Sequence, residues 1–326
     1  MRATIFLATF NGAKHLESLL SSLQDQSFKE FEVLISDDGS TDTTVQLIRR
    51  FEQADSRFKL LPCCSPAARP RRPCHNFGRL MEKGLSSSSS IYFFCDQDDV
   101  WRPNKISSCI DAMASADQNI PSMVATSFSL LKEKRRYSNV VTDHAVGRSR
   151  ADLSSLADVC SRNVYPGCTL AFNRAALELA TPVPDAAIMH DWWLTLLVSA
   201  SGTVIELDDP LISYRLHGAN AIGVVPFPKK VVNALSPKRF LQELECTFDQ
   251  AAVARHRLVQ RVSDSKLEPR VDQLSGYLSL LECSVFLILS RINSLRIRSR
   301  SPLLKIGFLI HLLALRLVNV SMKAKR

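Results

Sequence analysis

Residues 91–99 read IYFFCDQDD. The first five are apolar and rich in aromatic side chains, the composition of a buried strand, and they run without a spacer into Asp96-Gln97-Asp98-Asp99. Asp96 and Asp98 stand two residues apart, so at an extended strand end their carboxylates can converge on one small volume. Three acids within four residues repel one another, and a hard divalent cation relieves that repulsion. Oxygen ligands suit Mg2+ or Mn2+, which in turn suit phosphates.

Outward from this stretch, strands and helices alternate. Residues 4–9 (TIFLAT) read as a strand, and residues 13–23 as a helix with Leu16, Leu19, Leu20 and Leu23 on one face. Residues 31–36 (FEVLIS) form a second strand, which ends at Asp37-Asp38-Gly39-Ser40 before a helix over 42–51. A short strand at 58–61 and a helix at 75–82 follow. Downstream, Pro103 opens a helix over 105–116. This spacing predicts an α/β fold with a doubly wound, mostly parallel sheet. Both acidic clusters then fall past the C-terminal ends of strands, where such sheets bind ligands. Asp38-Gly39 alone is also an ordinary turn, with Ser40 as a helix cap.

The middle of the chain is less regular. Strands are expected at 123–131, 168–172, 203–207 and 211–215, and a helix at 191–201. That helix opens His190-Asp191-Trp192-Trp193, a charged pair against two aromatics, and an apolar run follows. Asp191 in a first helical turn either favours the helix dipole or faces a cleft as a general base. In an extended segment Arg215 and His217 point the same way, and both suit a diphosphate.

The 326 residues are 46% hydrophobic and 22% charged, which excludes a disordered chain. The net charge of +9 is concentrated at one end. Between Arg291 and Arg326 stand nine Lys or Arg and no acid, and the preceding 290 residues hold 32 of each sign. A neutral body argues against nucleic acid; a basic tail argues for an anionic surface. Residues 303–320 are almost long enough to span a bilayer but carry Lys305, His311 and Arg316. An amphipathic helix lying on a membrane surface fits them better. Residues 1–8 do not read as a secretory signal, and the nine cysteines include no CxxC pair. The expected location is therefore cytoplasmic, peripheral on the inner face of the cell membrane. No G-x-G-x-x-G or G-x-x-x-x-G-K-[ST] is present, so a dinucleotide or P-loop site has no support.

Six segments together resemble a known family: ATFNGAKHLESLLSSLQDQ (8–26), LISDDGSTD (34–42), CDQDDVWRPNK (95–105), PGCTLAFNR (166–174), HDWW (190–193) and ISYRLHGAN (212–220). In order and spacing the chain resembles the family 2 inverting glycosyltransferases of GT-A fold, within them the bacterial rhamnosyltransferase-like branch that builds cell-surface polysaccharides such as O-antigen. The resemblance implies a nucleotide-sugar donor, rhamnose from dTDP-rhamnose among the candidates, and a saccharide or lipid-linked acceptor. It implies that Thr9, Asn11, Asp37 or Asp38, Asn76 and Asp96 line the donor site, with Arg215 suited to the diphosphate. Asp98 would bind the Mg2+ or Mn2+, with His217 approaching from the other side. Asp99 and Trp101 would shape the loop, Asp191 would be the catalytic base, and Trp192 or Trp193 would meet the acceptor or fill the core. Residues 1–115 are then a Rossmann-like nucleotide-sugar-binding lobe, 116–225 an acceptor lobe and 226–326 a basic helical extension. The segment 62–73 (PCCSPAARPRRP) departs from the family, which usually has a glycine-containing loop there. Two other functions use the same acids: metal-dependent nucleotidyl or phosphoryl transfer, and binding of a sugar nucleotide without turnover.

Overall fold

The computed structural model describes residues 1–62, 73–132, 156–216, 237–261 and 268–281. Eight strands form one sheet: β1 (Ala3–Thr9), β2 (Phe31–Asp37), β3 (Phe58–Leu60), β4 (Ile91–Asp96), β5 (Val100–Trp101), β6 (Ser122–Lys132), β7 (Leu170–Asn173) and β8 (Thr203–Leu216). Their order is β3-β2-β1-β4-β7-β6-β8-β5. The four strands of the N-terminal half are parallel, β6 is parallel to β8, and β7 and β5 run antiparallel to their neighbours. The sheet is mostly parallel, as expected.

Register places the chemistry. Thr9 of β1 pairs with Asp37 of β2, and Ala8 of β1 pairs with Asp96 of β4. Both acidic loops therefore leave the sheet level with one another, on either side of the end of β1. Helices α1 (Ala13–Gln24), α2 (Thr44–Ala54), α3 (Pro73–Gly84) and α4 (Lys105–Met113) cover the sheet. Leu16, Leu19, Leu20 and Leu23 of α1 are all buried, as their helical spacing requires.

Two details differ from expectation. The run at 168–172 opens with a 3₁₀ turn over Gly167–Thr169 before β7 begins. The two strands expected at 203–207 and 211–215 are one strand, β8, whose register against β6 shifts near Pro210. Proline has no N–H to give a ladder, so the pairing slips there without ending.

The chain divides into two compact units: residues 1–148, 165–184 and 189–220, and residues 149–164, 185–188 and 221–326. The first holds the sheet, α1–α4, α6 (Arg174–Ala180) and α7 (His190–Ser201). Helix α7 is buried almost throughout, and Trp193 is fully enclosed with its indole N–H donating to the Ala180 carbonyl at 2.9 Å. The second holds α5 (Leu156–Ser161), α8 (Pro237–Arg261) and α9 (Glu268–Leu278). There Tyr277 stacks on Phe248 with ring centroids 4.7 Å apart, and Leu244, Ala251, Leu258 and Leu274 fill the interior. Among the described residues no helix is long and apolar enough to cross a membrane. The segment 303–320 and most of 62–73 lie outside the described residues.

Candidate active site

Three loops meet at the end of β1. The first, Phe10–Gly12, presents with the first residue of α1 four consecutive backbone N–H groups, and each is taken by a side chain. Phe10 N–H donates to Gln97 Oε1 (2.9 Å), Asn11 N–H to Ser40 Oγ (2.8 Å), Gly12 N–H to Thr44 Oγ1 (2.8 Å) and Ala13 N–H to Asp42 Oδ2 (3.2 Å). Asn11 adopts a positive φ of 47°, tolerable for asparagine, and its Oδ1 accepts from Thr41 N–H at 2.8 Å.

Asp37 is the hub of the second loop. Its Oδ1 accepts from Thr9 Oγ1 (2.8 Å) and Ser40 Oγ (2.6 Å), and its Oδ2 from the N–H groups of Gly39 (3.0 Å) and Ser40 (2.7 Å). Gly39 has φ 80°, which glycine alone adopts without strain. Thr9 and Asp37 were both expected at the donor. Here the Thr9 hydroxyl is spent on Asp37, and Asp37 on Thr9 and the turn; Asp38 beside them is half-buried. Asn76 is buried on α3, and its Nδ2 donates to the Ser36 carbonyl at the end of β2 (2.9 Å).

The third loop carries the acids. Asp96, Asp99 and the Cys168 thiol have ligand atoms within 4.8 Å of one another. Burial, then Asp99, Asp98 and Asp191, pushes the Asp96 carboxyl well above its ordinary range; Lys105 opposes them. Burial and Asp98 raise Asp99 to about 7. Asp99 Oδ1 accepts from Arg215 N–H (3.0 Å), while its buried Oδ2 has no partner among the described residues. Burial also holds the Cys168 thiol protonated, so the carboxylates, not the sulfur, fit a hard cation. Crowded, partly neutralised acids and an orphaned carboxylate oxygen are what a divalent cation would satisfy. Asp98 is half-buried between them, and Arg215 Nε donates to its carbonyl (2.8 Å). Arg215 thus braces the acidic loop with its backbone N–H and Nε. His217 lies outside the described residues.

Lys105 stands behind this loop, and the sequence reading missed it. It is fully buried, 3.5 Å over the Trp101 ring, and its Nζ donates to the Cys168 carbonyl at 2.6 Å. Burial lowers its pKa. Trp101 itself is buried in β5, where its strand pairs with β8.

Asp191 opens α7 and is buried. One oxygen accepts from Gly167 N–H (2.8 Å) and the other from its neighbour Trp192 N–H (2.7 Å). A side chain on Gly167 would crowd it: a Cβ there would lie 3.2 Å from Asp191 Cβ and 3.1 Å from His190 Nε2. The Asp191 charge adds to those that raise the Asp96 carboxyl. Trp192 is buried beside it at 8% exposure, and Trp193 is a core residue.

A family model described as glycosyl transferase family 2 matches residues 4–178, more than half of the chain. The chain belongs to glycosyl transferase family 2. As a member of that family it is a nucleotide-sugar-dependent glycosyltransferase. It is 26% identical over 231 residues to dTDP-rhamnosyl transferase RfbG of Shigella flexneri, an alignment covering 67% of this chain and 73% of that one. Among solved structures, Staphylococcus aureus TarS 1–349 in complex with UDP matches with TM-score 0.57 at 15% identity, over 100% of this chain and 92% of that one. The mannosyltransferase PcManGT from Pyrobaculum calidifontis, in complex with GDP-Man and Mn2+, matches with TM-score 0.51 at 16% identity, over 91% and 85%. At such identities these two likenesses carry the fold of the glycosyltransferase and no more.

Proposed function

We propose that this glycosyltransferase moves a sugar from a nucleotide donor to a saccharide or lipid-linked saccharide, with inversion, in cell-surface polysaccharide synthesis. Rhamnose from dTDP-rhamnose is the favoured donor, supported by the dTDP-rhamnosyl transferase activity named for the Shigella relative and by the branch resemblance. The observation that carries the mechanism is the setting of Asp191, held through both oxygens by backbone N–H groups and in electrostatic reach of the acidic loop.

Asp191 takes the proton from an acceptor hydroxyl as that oxygen attacks the anomeric carbon. The bond from the anomeric carbon to the diphosphate oxygen breaks with its electron pair, and the nucleoside diphosphate leaves. One displacement inverts the centre, so one carboxylate suffices where a glycoside hydrolase needs two. If bound, Mg2+ or Mn2+ would be held by Asp98, with Asp96, Asp99 and His217 as further candidate ligands, and would neutralise the leaving diphosphate. Asp38 and Asn11 face the nucleoside, and Arg215 keeps the acidic loop in place.

Residues 1–115 take the donor, 116–225 the acceptor, and 226–326 a basic extension that meets the anionic inner face of the cell membrane.

Nucleoside diphosphate release from a panel of sugar nucleotides, with Mn2+, Mg2+ or chelator and a membrane extract as acceptor, tests this. One donor should give acceptor-stimulated, chelator-sensitive release. Asp191→Asn should lower kcat by roughly 10²–10⁴-fold, and Asp98→Ala should abolish the metal stimulation. Full turnover by Asp191→Asn would remove the assigned base.

A further inference from the structure

Gln97 stands between the acids of the third loop yet spends its side chain on the first. Its Oε1 accepts from Phe10 N–H at 2.9 Å, and its Nε2 donates to Phe10 C=O at 3.0 Å. A single amide thus pairs with both backbone groups of one residue, as a neighbouring strand would. The opposite side of the first loop and the start of α1 are already fixed to the second loop by Ser40 and Asp42 and to the start of α2 by Thr44. Gly12 supplies an independent observation. Its backbone φ of −101° suits any residue, so no turn demands glycine there. What stands in the way of a side chain is the amide itself: a Cβ on Gly12 would overlap Gln97 Oε1 and lie 2.6 Å from Gln97 Cδ, so the amide would have to swing away. The sequence therefore keeps a gap at position 12 that the Gln97 amide fills.

We propose that Gln97 is a positioning residue that locks the nucleoside-facing loop Phe10–Gly12 to the acidic loop, so that nucleoside and diphosphate are gripped by one rigid site. This rests on the assignment of these loops to the nucleotide donor. Gln97 touches no reacting atom in this role. It fixes the distance between two sets of contacts, which is a term in donor affinity.

Isothermal titration of the full-length protein with UDP, dTDP and GDP in the presence of Mn2+ tests it. For whichever diphosphate binds the wild type, Gln97→Ala should weaken binding about tenfold, the size expected for two hydrogen bonds. Gly12→Ala should weaken it similarly by displacing the amide. The double variant should bind no more weakly than Gln97→Ala, because alanine at position 12 fits once the glutamine is gone. Gln97→Glu accepts from the Phe10 N–H but cannot donate to its carbonyl, so it should also weaken binding, and it serves should Gln97→Ala fail to fold. Equal affinities of wild type and the Gln97 variants would overturn the proposal while leaving the donor site standing. So would additive losses in the double variant, which would mark two unrelated defects. Binding of no diphosphate by the wild type would instead remove the donor assignment itself.

Discussion

His190 shows how one side chain links the site to stability. Its ring stacks on Phe77 with centroids 3.8 Å apart and meets the Phe94 ring edge-on at 4.5 Å. Neither ring nitrogen has a partner among the described residues, and burial lowers its pKa from 6.5 to about 4, with nearby Asp191 opposing. The folded protein keeps this ring neutral, while an unfolded chain takes up a proton below pH 6.5. Stability should therefore fall as pH drops from 6.5 towards 4, by about 1.4 kcal/mol per unit. Chemical denaturation of wild type and His190→Phe at pH 7.5 and pH 5 checks this. The wild type should lose about 2 kcal/mol more than the variant, and equal losses would place the acid sensitivity elsewhere. The acids of the candidate site also show what a sequence can reveal. Asp37, Asp96, Asp98, Asp99 and Asp191 were conspicuous because charge beside an apolar run is costly and so stands out. That Asp37 would be consumed by four hydrogen bonds was not legible, since saturation of a carboxylate depends on partners from β1 and the turn. Gln97 carries no charge and sits among acids that do, so nothing local singled it out.

At the level of elements, α1–α4 and β1–β4 followed from apolar periodicity and strand-end acids. Direction did not: the run that becomes β7 has the composition of a strand, but its antiparallel insertion between β4 and β6 is decided by the chain's path. The link from α7 to β8 is another tertiary constraint. Gly202 lies against Pro121, whose carbonyl accepts from Thr203 N–H at 2.9 Å as β6 and β8 begin to pair. A Cβ on Gly202 would overlap that carbonyl oxygen, and backbone cannot swing aside as a side chain can. Gly202→Ala should therefore destabilise the protein by about 3 kcal/mol. Thermal melting checks it; an unchanged midpoint would mean that the strand start shifts at little cost.

For the molecule as a whole, charge is partitioned more sharply than structure. The nine basic residues from Arg291 onward account for the entire net charge of +9. Removing residues 291–326 should abolish flotation with vesicles containing anionic lipid and leave nucleoside diphosphate affinity intact. Binding by the full chain should weaken as salt rises, because the attraction is screened. Salt-insensitive binding by the full chain, retained binding by the truncated one, or no binding by either would overturn the proposed membrane role of the tail.

The first loop has one more consequence, for anyone wishing to change the donor. Its three N–H groups, and that of Ala13 behind them, are met by side chains borrowed from the loops after β2 and β4 and from the first residue of α2. Transplanting that loop alone from a relative would strand donors whose acceptors stayed behind. If these loops hold the donor as proposed, donor preference should be inherited with all of these segments, exchanged together or not at all.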